Sequence, residues 1–242
     1  MTNTIQSGER SLPLEELLGR GAQAATGFAA LGVGEGDAVA LMLRNDICML
    51  EAVVGAGLIG AYPVPVNWHW QGEEAGYVFD DCAARVVVVH ADLLPELAGH
   101  IPATASVLVA PTPPEIATAY NIAADRTAVP AGMTAWDDWR AGFAAWDKPP
   151  AAARGSMIYT SGTTGRPKGV RREPLPAERA AASQKLALRG FGLRPGAHAA
   201  MTGPLYHSAP AGYARLALQV GCSLLLLPRF DPEGLLQAIE QH

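Results

Sequence analysis

Charged and aromatic side chains are scarce in this sequence. Of 242 residues, 17% are charged and 7% are aromatic, whereas 49% are hydrophobic. So high an apolar share excludes intrinsic disorder, and the 26 glycines and 19 prolines follow no period, which excludes a collagen-like repeat. The chain is long enough to bury a sizeable core, as one large domain or two small ones.

Positive charge and cysteine are also in short supply. The 18 basic residues against 23 acidic ones give a net charge of −5, and the longest basic run is Arg171-Arg172. This balance argues against nucleic acid and anionic membranes as main partners. The three cysteines, Cys48, Cys82 and Cys222, lack C-x-x-C spacing. We expect them to be reduced thiols that fill the core of a cytosolic protein, rather than ligands or nucleophiles.

The sequence has no segment typical of a membrane span or an export signal. The apolar run 52–66 is shorter than the roughly 20 residues that a spanning helix needs, and it contains Pro63 and Pro65. Glu9, Glu15 and Glu16 lie where a signal peptide would be apolar. We therefore expect no transmembrane segment, no export and a cytoplasmic location.

Short β-branched runs alternate with helical patterns along the first half of the chain. This alternation predicts a parallel α/β fold. The expected strands are 39–43, 62–66, 86–89 and 107–110, and the expected helices are 46–60, 72–82 and 92–99. In the first of these helices, Gly55, Gly57 and Gly60 predict close packing against a neighbour.

Residues 111–150 form a connection rich in proline and alanine that carries one aromatic stripe. Trp136, Trp139, Phe143 and Trp146 recur at helical spacing. Such a stripe can be a binding platform or a face packed on the core, and we favour the packed face because it is the ordinary meaning of this period.

The pattern changes after residue 150. We expect strands at 157–159, 169–172, 198–202 and 223–227, and helices at 176–190, 208–220 and from 231 onward. The sequence thus predicts a first α/β subdomain over residues 1–150 and a second over residues 151–242, which begins with a loop rich in hydroxyl side chains and glycine.

That loop, residues 160–169 (TSGTTGRPKG), is the sharpest chemical signal in the sequence. Its glycines let the backbone approach a ligand, its hydroxyls offer donors and Lys168 supplies a positive charge, a set that suits phosphate oxygens. It is not the P-loop of NTPases, because Pro167 and Gly169 break the G-x-x-x-x-G-K-[ST] pattern. Pro167 and Val170 also predict a strand after the loop, so an anion would be held by backbone and hydroxyl groups with little help from a helix dipole.

The loop resembles the phosphate-binding signature of the adenylate-forming superfamily, whose acyl-CoA synthetases, adenylation domains and luciferases activate carboxylic acids with ATP. Segments similar to that family's other motifs follow in the family's order. They are LGVGEGDAVA at 31–40, AYPVPVN at 61–67, ARVVVV at 84–89, GPLYHS at 203–208 and LPRFDP at 227–232. The resemblance runs from about residue 12 to the last residue, and the PLYH segment favours the acid-CoA ligase branch.

The resemblance implies layered α/β sheets with helices on their faces, part of the large N-terminal domain of an adenylate-forming enzyme. It implies that a carboxylic acid reacts with ATP to give an acyl-adenylate and that the acyl group then passes to coenzyme A. The residues that the resemblance places in contact with phosphate are Thr160, Ser161, Gly162, Thr163, Thr164, Gly165 and Lys168. Mg²⁺ would bridge phosphate oxygens with Thr160 as one ligand, and His207 would border the acyl and nucleotide pockets as an orienting side chain.

Other family motifs are absent from these residues. The sequence lacks an aromatic-Gly-x-Thr-Glu segment for adenine and metal, a Ser/Thr-Gly-Asp for the ribose and a late lysine for the carboxylate. We therefore expect the chain to be part of a longer protein or a truncation, inactive alone, with an uncovered strand edge or apolar helix face that promotes association.

Two hypotheses remain from the sequence. The first is an acid-CoA ligase, and the alternative is a catalytically incomplete fragment that acts only as a nucleotide-binding or interaction module. A dinucleotide-dependent oxidoreductase fails, because no G-x-G-x-x-G joins the first strand to its helix. The acid, the acceptor thiol and the oligomeric state, including a homo-oligomer, stay open.

Overall fold

Two sheets of mainly parallel strands, with helices on their faces, make up the fold. The computed structural model describes residues 3–152, 154–160 and 166–241. In spatial order, the five-stranded sheet consists of β4 (Tyr62–Pro65), β3 (Ala38–Met42), β5 (Ala84–His90), β6 (Ser106–Ala110) and β7 (Thr134–Ala135). The four-stranded sheet consists of β10 (His198–Met201), β11 (Ser223–Leu226), β1 (Thr4–Ser7) and β2 (Arg10–Pro13). This architecture confirms the layered α/β fold that the alternating pattern predicts.

The five-stranded sheet is entirely parallel. Its strands are β3 (Ala38–Met42), β4 (Tyr62–Pro65), β5 (Ala84–His90), β6 (Ser106–Ala110) and β7 (Thr134–Ala135). Val86, Val87, Val88 and Val89 are all fully buried, because apolar layers cover both faces of the sheet. The four strands predicted from β-branched runs are confirmed, and β7 was not predicted.

Four α-helices accompany this sheet. They are α2 (Ile47–Leu58), α3 (Glu73–Asp81), α4 (Pro114–Tyr120) and α5 (Trp136–Ala141). The helices predicted at 46–60 and 72–82 are confirmed. The helix predicted at 92–99 is reduced to a 3-10 turn, Leu94–Leu97, and Gly99 follows it with a φ of +75°. Ala98, between them, leaves the helical region with a ψ of 125°, so the segment forms only one turn.

The N-terminal residues form elements that the sequence patterns did not reveal. They are β1 (Thr4–Ser7), β2 (Arg10–Pro13) and α1 (Leu14–Ala30). Glycines in α1 lower its intrinsic helix propensity but let it pack closely on α2. A Cβ at Gly21 would lie 2.5 Å from Val54 Cγ1, and one at Gly55 would lie 2.9 Å from Ala24 Cβ.

The predicted close packing is therefore correct for Gly55 and Gly60 and wrong for Gly57. A Cβ at Gly60 would lie 2.9 Å from Ala151 Cβ, whereas one at Gly57 would have no atom within 4 Å. Gly60 also adopts a φ of +72° after α2, in a turn where its carbonyl accepts a hydrogen bond from Gly36 N. Its role is to reverse the chain before β4.

The aromatic stripe after residue 111 packs on the core, as predicted. Trp136 is buried, and both it and Trp139 lie against Phe28 of α1, with ring centroids 5.9 and 5.4 Å away. Phe143 and Trp146 lie beyond the end of α5, so the helical spacing continues further than the helix itself.

The four-stranded sheet joins the two ends of the described chain. β10 (His198–Met201) and β11 (Ser223–Leu226) are parallel, and β1 pairs with β11 in the register Ile5↔Leu224. The accompanying helices are α6 (Ala177–Phe191), α7 (Ser208–Val220) and α8 (Pro232–Gln241), all close to their predicted bounds. Strands from residues 1–150 thus share a sheet with strands from 151–242, and the subdomain boundary near residue 150 stays a prediction.

The three cysteines lie inside the fold as free thiols. Burial raises the pKa of all three, that of Cys82 to about 12. All three are buried, as predicted for core side chains. A thiol that stays protonated is a poor nucleophile and a poor metal ligand. In the part of the chain that the structure describes, no helix is both long and apolar enough to cross a membrane.

Candidate functional site

Two short antiparallel strands lie on either side of residues 161–165. These are β8 (Tyr159–Thr160) and β9 (Lys168–Gly169), which pair in the register Tyr159↔Gly169 and Thr160↔Lys168. The prediction that the loop leads into a strand, and not into a helix, is confirmed. The predicted phosphate contacts Ser161, Gly162, Thr163, Thr164 and Gly165 lie outside the described residues.

The hairpin presents two chemically different faces. Successive side chains of a strand point to opposite sides, so Thr160 and Lys168 share one face while Tyr159 and Gly169 share the other. Thr160 and Lys168 are exposed, whereas Tyr159 is buried. Directly opposed residues have Cβ atoms about 4.5–5.5 Å apart. The structure therefore brings together the hydroxyl and the lysine that flank the loop.

The inner face of the hairpin is anchored on α3. The Tyr159 hydroxyl donates a hydrogen bond to Asp81 Oδ2. Arg171 Nη2 donates to the Cys82 carbonyl at 2.9 Å, and the Arg166 guanidinium lies 5.0 Å from the centre of the Tyr77 ring. Burial raises the pKa of Tyr159, and the hydrogen bond to Asp81 raises it further. Tyr159 therefore remains a neutral donor that fixes the hairpin to this helix.

The segment leading into the hairpin also lies along β4. Met157 N donates to the Pro63 carbonyl at 3.0 Å, and the Tyr62 hydroxyl donates to the Arg172 carbonyl at 3.2 Å. A Cβ at Gly169 would overlap Met157 Cε and would lie 2.6 Å from Tyr159 Cζ. Glycine is required at this position because the tyrosine ring lies directly across the backbone.

Lys168 is a cation of this region that is available to a ligand. Arg154 is paired with Glu35 at 3.2 Å and Glu173 at 3.4 Å. Lys168 is exposed and forms no ion pair with any residue that the structure describes. Its ammonium group can therefore approach an anion without first breaking an internal salt bridge.

The donor set at the hairpin fits a phosphate ester better than a protein-bound metal. Thr160 offers one hydroxyl and Lys168 offers a cation, both on the solvent-facing side. Among residues 3–152, 154–160 and 166–241, no group of three or more His, Cys, Asp or Glu side chains is arranged to hold a metal ion. A Mg²⁺ ion that used Thr160 would take most of its ligands from phosphate oxygens and water, which is its habit in nucleotide sites.

His207 lies at the N-terminal end of α7, away from the described contacts of the hairpin. Its backbone N–H donates to the Pro204 carbonyl at 3.1 Å, and its own carbonyl accepts from Ala211 N at 3.0 Å. The ring is exposed, lies 4.4 Å from the Tyr206 ring and does not cap the helix. An orienting role for His207 stays a prediction.

A buried polar network at the carboxyl ends of the parallel strands was missed from sequence. Arg44, after β3, pairs with Asp92, after β5, at 2.8 Å. His90 Nε2 lies 3.1 Å from Asp46 Oδ2, and Arg10 from β2 also pairs with Asp46. Burial alone would raise the pKa of Asp46, but its contacts with His90 and Arg10 outweigh burial and lower it. The available signal was position, since polar residues directly after buried strands meet at one sheet edge.

Comparison with known proteins identifies the family of this chain. A family described as AMP-binding enzyme matches residues 3–242. The chain is 31% identical to feruloyl-CoA synthase of Amycolatopsis sp, and the match covers 98% of this chain and 43% of that relative. It is 28% identical to 3-hydroxybenzoate--CoA/4-hydroxybenzoate--CoA ligase of Thauera aromatica, over 97% of this chain and 43% of that relative.

The fold also matches a solved structure. ATP-bound MatB from Rhodopseudomonas palustris superposes with a TM-score of 0.78 at 22% identity, over 99% of this chain and 45% of that one. The chain thus spans less than half the length of these proteins. Because the family match extends over nearly all of its residues, the chain belongs to the AMP-binding enzyme family.

Proposed function

We propose that this chain is the phosphate-binding part of an ATP-dependent acid-CoA ligase. The reaction joins a carboxylic acid to the α-phosphate of ATP, releases pyrophosphate and passes the acyl group to coenzyme A. The observation that carries the proposal is the hairpin, in which Thr160 and Lys168 face each other at the two ends of the TSGTTGRPKG loop. The related CoA ligases support the acid and coenzyme A as substrates.

The residues of the loop would act by position and charge. Lys168 would approach the β- and γ-phosphates and balance charge that accumulates as pyrophosphate leaves, while the hydroxyls and N–H groups of residues 160–165 would hold the oxygens in line. Mg²⁺, when bound, would neutralise phosphate charge, with Thr160 as one ligand. The anchored inner face keeps both strands of the hairpin fixed, so Thr160 and Lys168 would be held in place before a ligand binds.

We propose an aromatic acid as the first substrate class to test, because two relatives act on hydroxybenzoates and on ferulate by name. The assay is ATP-pyrophosphate exchange with the longest protein encoded by the reading frame that contains these residues, across aromatic and fatty acids. Exchange dependent on one acid class supports the ligase. If no acid gives exchange above background, the ligase proposal fails, and binding of ATP without exchange supports the binding-module alternative.

Lys168→Ala tests the role of the hairpin in the same assay. Loss of one preorganised charged contact to a developing anion lowers kcat by about 100-fold or more. Lys185→Ala is the matched control, because Lys185 is an exposed lysine on α6, remote in sequence from the loop. Equal activity of the two variants would remove Lys168 from the mechanism. Thr160→Ala should in addition raise the Mg²⁺ concentration needed for half-maximal exchange if its hydroxyl is a metal ligand.

A further inference from the structure

Asn45 connects the two sheets through three hydrogen bonds to distant backbone. It follows β3 in the five-stranded sheet and is only 5% exposed. Its Nδ2 donates to the Gly203 carbonyl at 3.0 Å and to the Leu227 carbonyl at 3.1 Å, and its Oδ1 accepts from Leu205 N at 2.8 Å. Gly203 and Leu205 follow β10, and Leu227 follows β11, so one side chain links the carboxyl ends of strands from both sheets.

The chemistry of this position suits asparagine alone. An amide side chain has two N–H donors and an acceptor oxygen, and here both donors face carbonyl oxygens while the oxygen faces an N–H group. Aspartate has no donors and would direct negative charge at two carbonyls. Glutamine has the same groups, but its extra methylene would move them out of register with these partners.

The base of this side chain is fixed on both sides. Arg44 pairs with Asp92 at 2.8 Å, and Asp46 accepts a hydrogen bond from Ile47 N at 2.7 Å at the start of α2. Side chains held by such networks have little freedom to follow a moving partner. Asn45 is therefore held from both sides while its side chain bonds the residues that follow β10 and β11.

The segment that Asn45 holds leads directly into Tyr206 and His207. Leu205 is buried, and the turn continues with the bond from His207 N to the Pro204 carbonyl. We propose that Asn45 is a positioning residue for this segment, and that it sets the place of His207 and the start of α7 beside the reacting groups. The catalytic consequence of this inference rests on the proposed ligase function. Its structural consequence, the position of the segment after β10, rests on the hydrogen bonds alone.

The structural consequence is tested in the 242-residue chain by hydrogen exchange. In Asn45→Ala, the Leu205 amide loses its acceptor, and its exchange should accelerate on the order of tenfold or more while the amides of Val87 and Val88 in β5 keep their rates. The control is Trp136→Phe, which removes a buried indole N–H that donates to Glu51, outside the Arg44–Asp92 pair. Unchanged exchange at Leu205 in Asn45→Ala would overturn the proposal.

The catalytic consequence is tested by pyrophosphate exchange in the longest encoded protein. Asn45→Gln, which keeps the amide group but shifts it by one methylene, is used beside Asn45→Ala in case the alanine variant does not fold. Both should lower kcat by about tenfold or more and raise the KM for the acid, with the KM for ATP changed less. A loss no greater than that of Trp136→Phe at matched melting temperature would overturn the positioning role. If the unsubstituted protein shows no pyrophosphate exchange, the ligase function is refuted. Hydrogen exchange at the Leu205 amide would then decide the Asn45 proposal by itself.

Discussion

Replacing Gly169 of β9 by alanine would place a methyl group against the ring of Tyr159, which lies opposite it on β8. The new Cβ would overlap Met157 Cε and would lie 2.6 Å from Tyr159 Cζ and 2.7 Å from Tyr159 Cε2. Carbon atoms in contact ordinarily lie about 3.5–4.0 Å apart, so the ring must move by about 1 Å. The end of Met157 can rotate away, but the Tyr159 ring is held by its strand and by Asp81.

The cost follows from what the ring loses when it moves. Overpacking costs about 1–3 kcal/mol, and the hydrogen bond from Tyr159 to the Asp81 carboxylate contributes about 1.5–3 kcal/mol. These two costs are not additive, because a ring that moves away to relieve the overpacking also weakens its hydrogen bond. Alanine also restricts the unfolded chain and returns about 0.4–1 kcal/mol. We expect a net loss of about 2 kcal/mol, concentrated in the hairpin.

Hydrogen exchange at the Val170 amide, which donates to the Ile158 carbonyl, measures this local loss. A loss of about 2 kcal/mol should accelerate its exchange about 30-fold. Gly155→Ala is the control, because a Cβ there would have no atom within 4 Å, and it should change exchange little. If Gly169→Ala leaves Val170 as protected as Gly155→Ala does, the close approach of Tyr159 to the backbone is not a constraint and the reasoning is refuted.

Three further outcomes are expected. Gly55→Ala should destabilise the chain by about 1–2 kcal/mol in urea unfolding, because α1 must move away from the new methyl group. Gly57→Ala on the same helix should stabilise it by about 0.5–1 kcal/mol, and equal effects of the two variants would contradict the close packing of α1 on Gly55. Asp46, whose pKa is lowered in the folded state, contributes stability that is present above about pH 4 and is lost as pH falls through the folded value, so Asp46→Asn should flatten the acid limb of a stability-pH curve. Leu236 and Ile239 on α8 are 63% and 65% exposed, so the chain should self-associate in size-exclusion chromatography and their double replacement by glutamine should reduce association; a monomer in both forms would count against this.

Much of the hairpin could be predicted from sequence because its determinants are local. Pro167 and Val170 indicated a strand after the loop, and the alternation of side chains along a strand puts Thr160 and Lys168 on one face. The anchoring of Tyr159 by Asp81 could not be predicted. These residues are 78 positions apart, and their contact depends on how α3 packs beside the hairpin.

The N-terminal elements escaped prediction for a related reason. α1 contains three glycines that weaken its helical signal. A Cβ at Gly21 would clash with Val54 and one at Gly27 with Trp139, and both of these side chains are remote in sequence. The strand Thr4–Ser7 has few apolar residues of its own, and it forms because β11 offers an edge to pair with. Propensity is a weak guide wherever tertiary contacts supply most of the stabilisation.

The sequence by itself determined the α/β class and the two short strands on either side of residues 161–165, because these depend on short-range periodicity and spacing. Only the tertiary structure decided that Asn45 reaches Gly203, Leu205 and Leu227, and that Asp46 meets both His90 and Arg10. The physical reason is that a buried polar group must find partners wherever the fold places them, and those partners come from strands far apart in sequence whose ends meet at one edge.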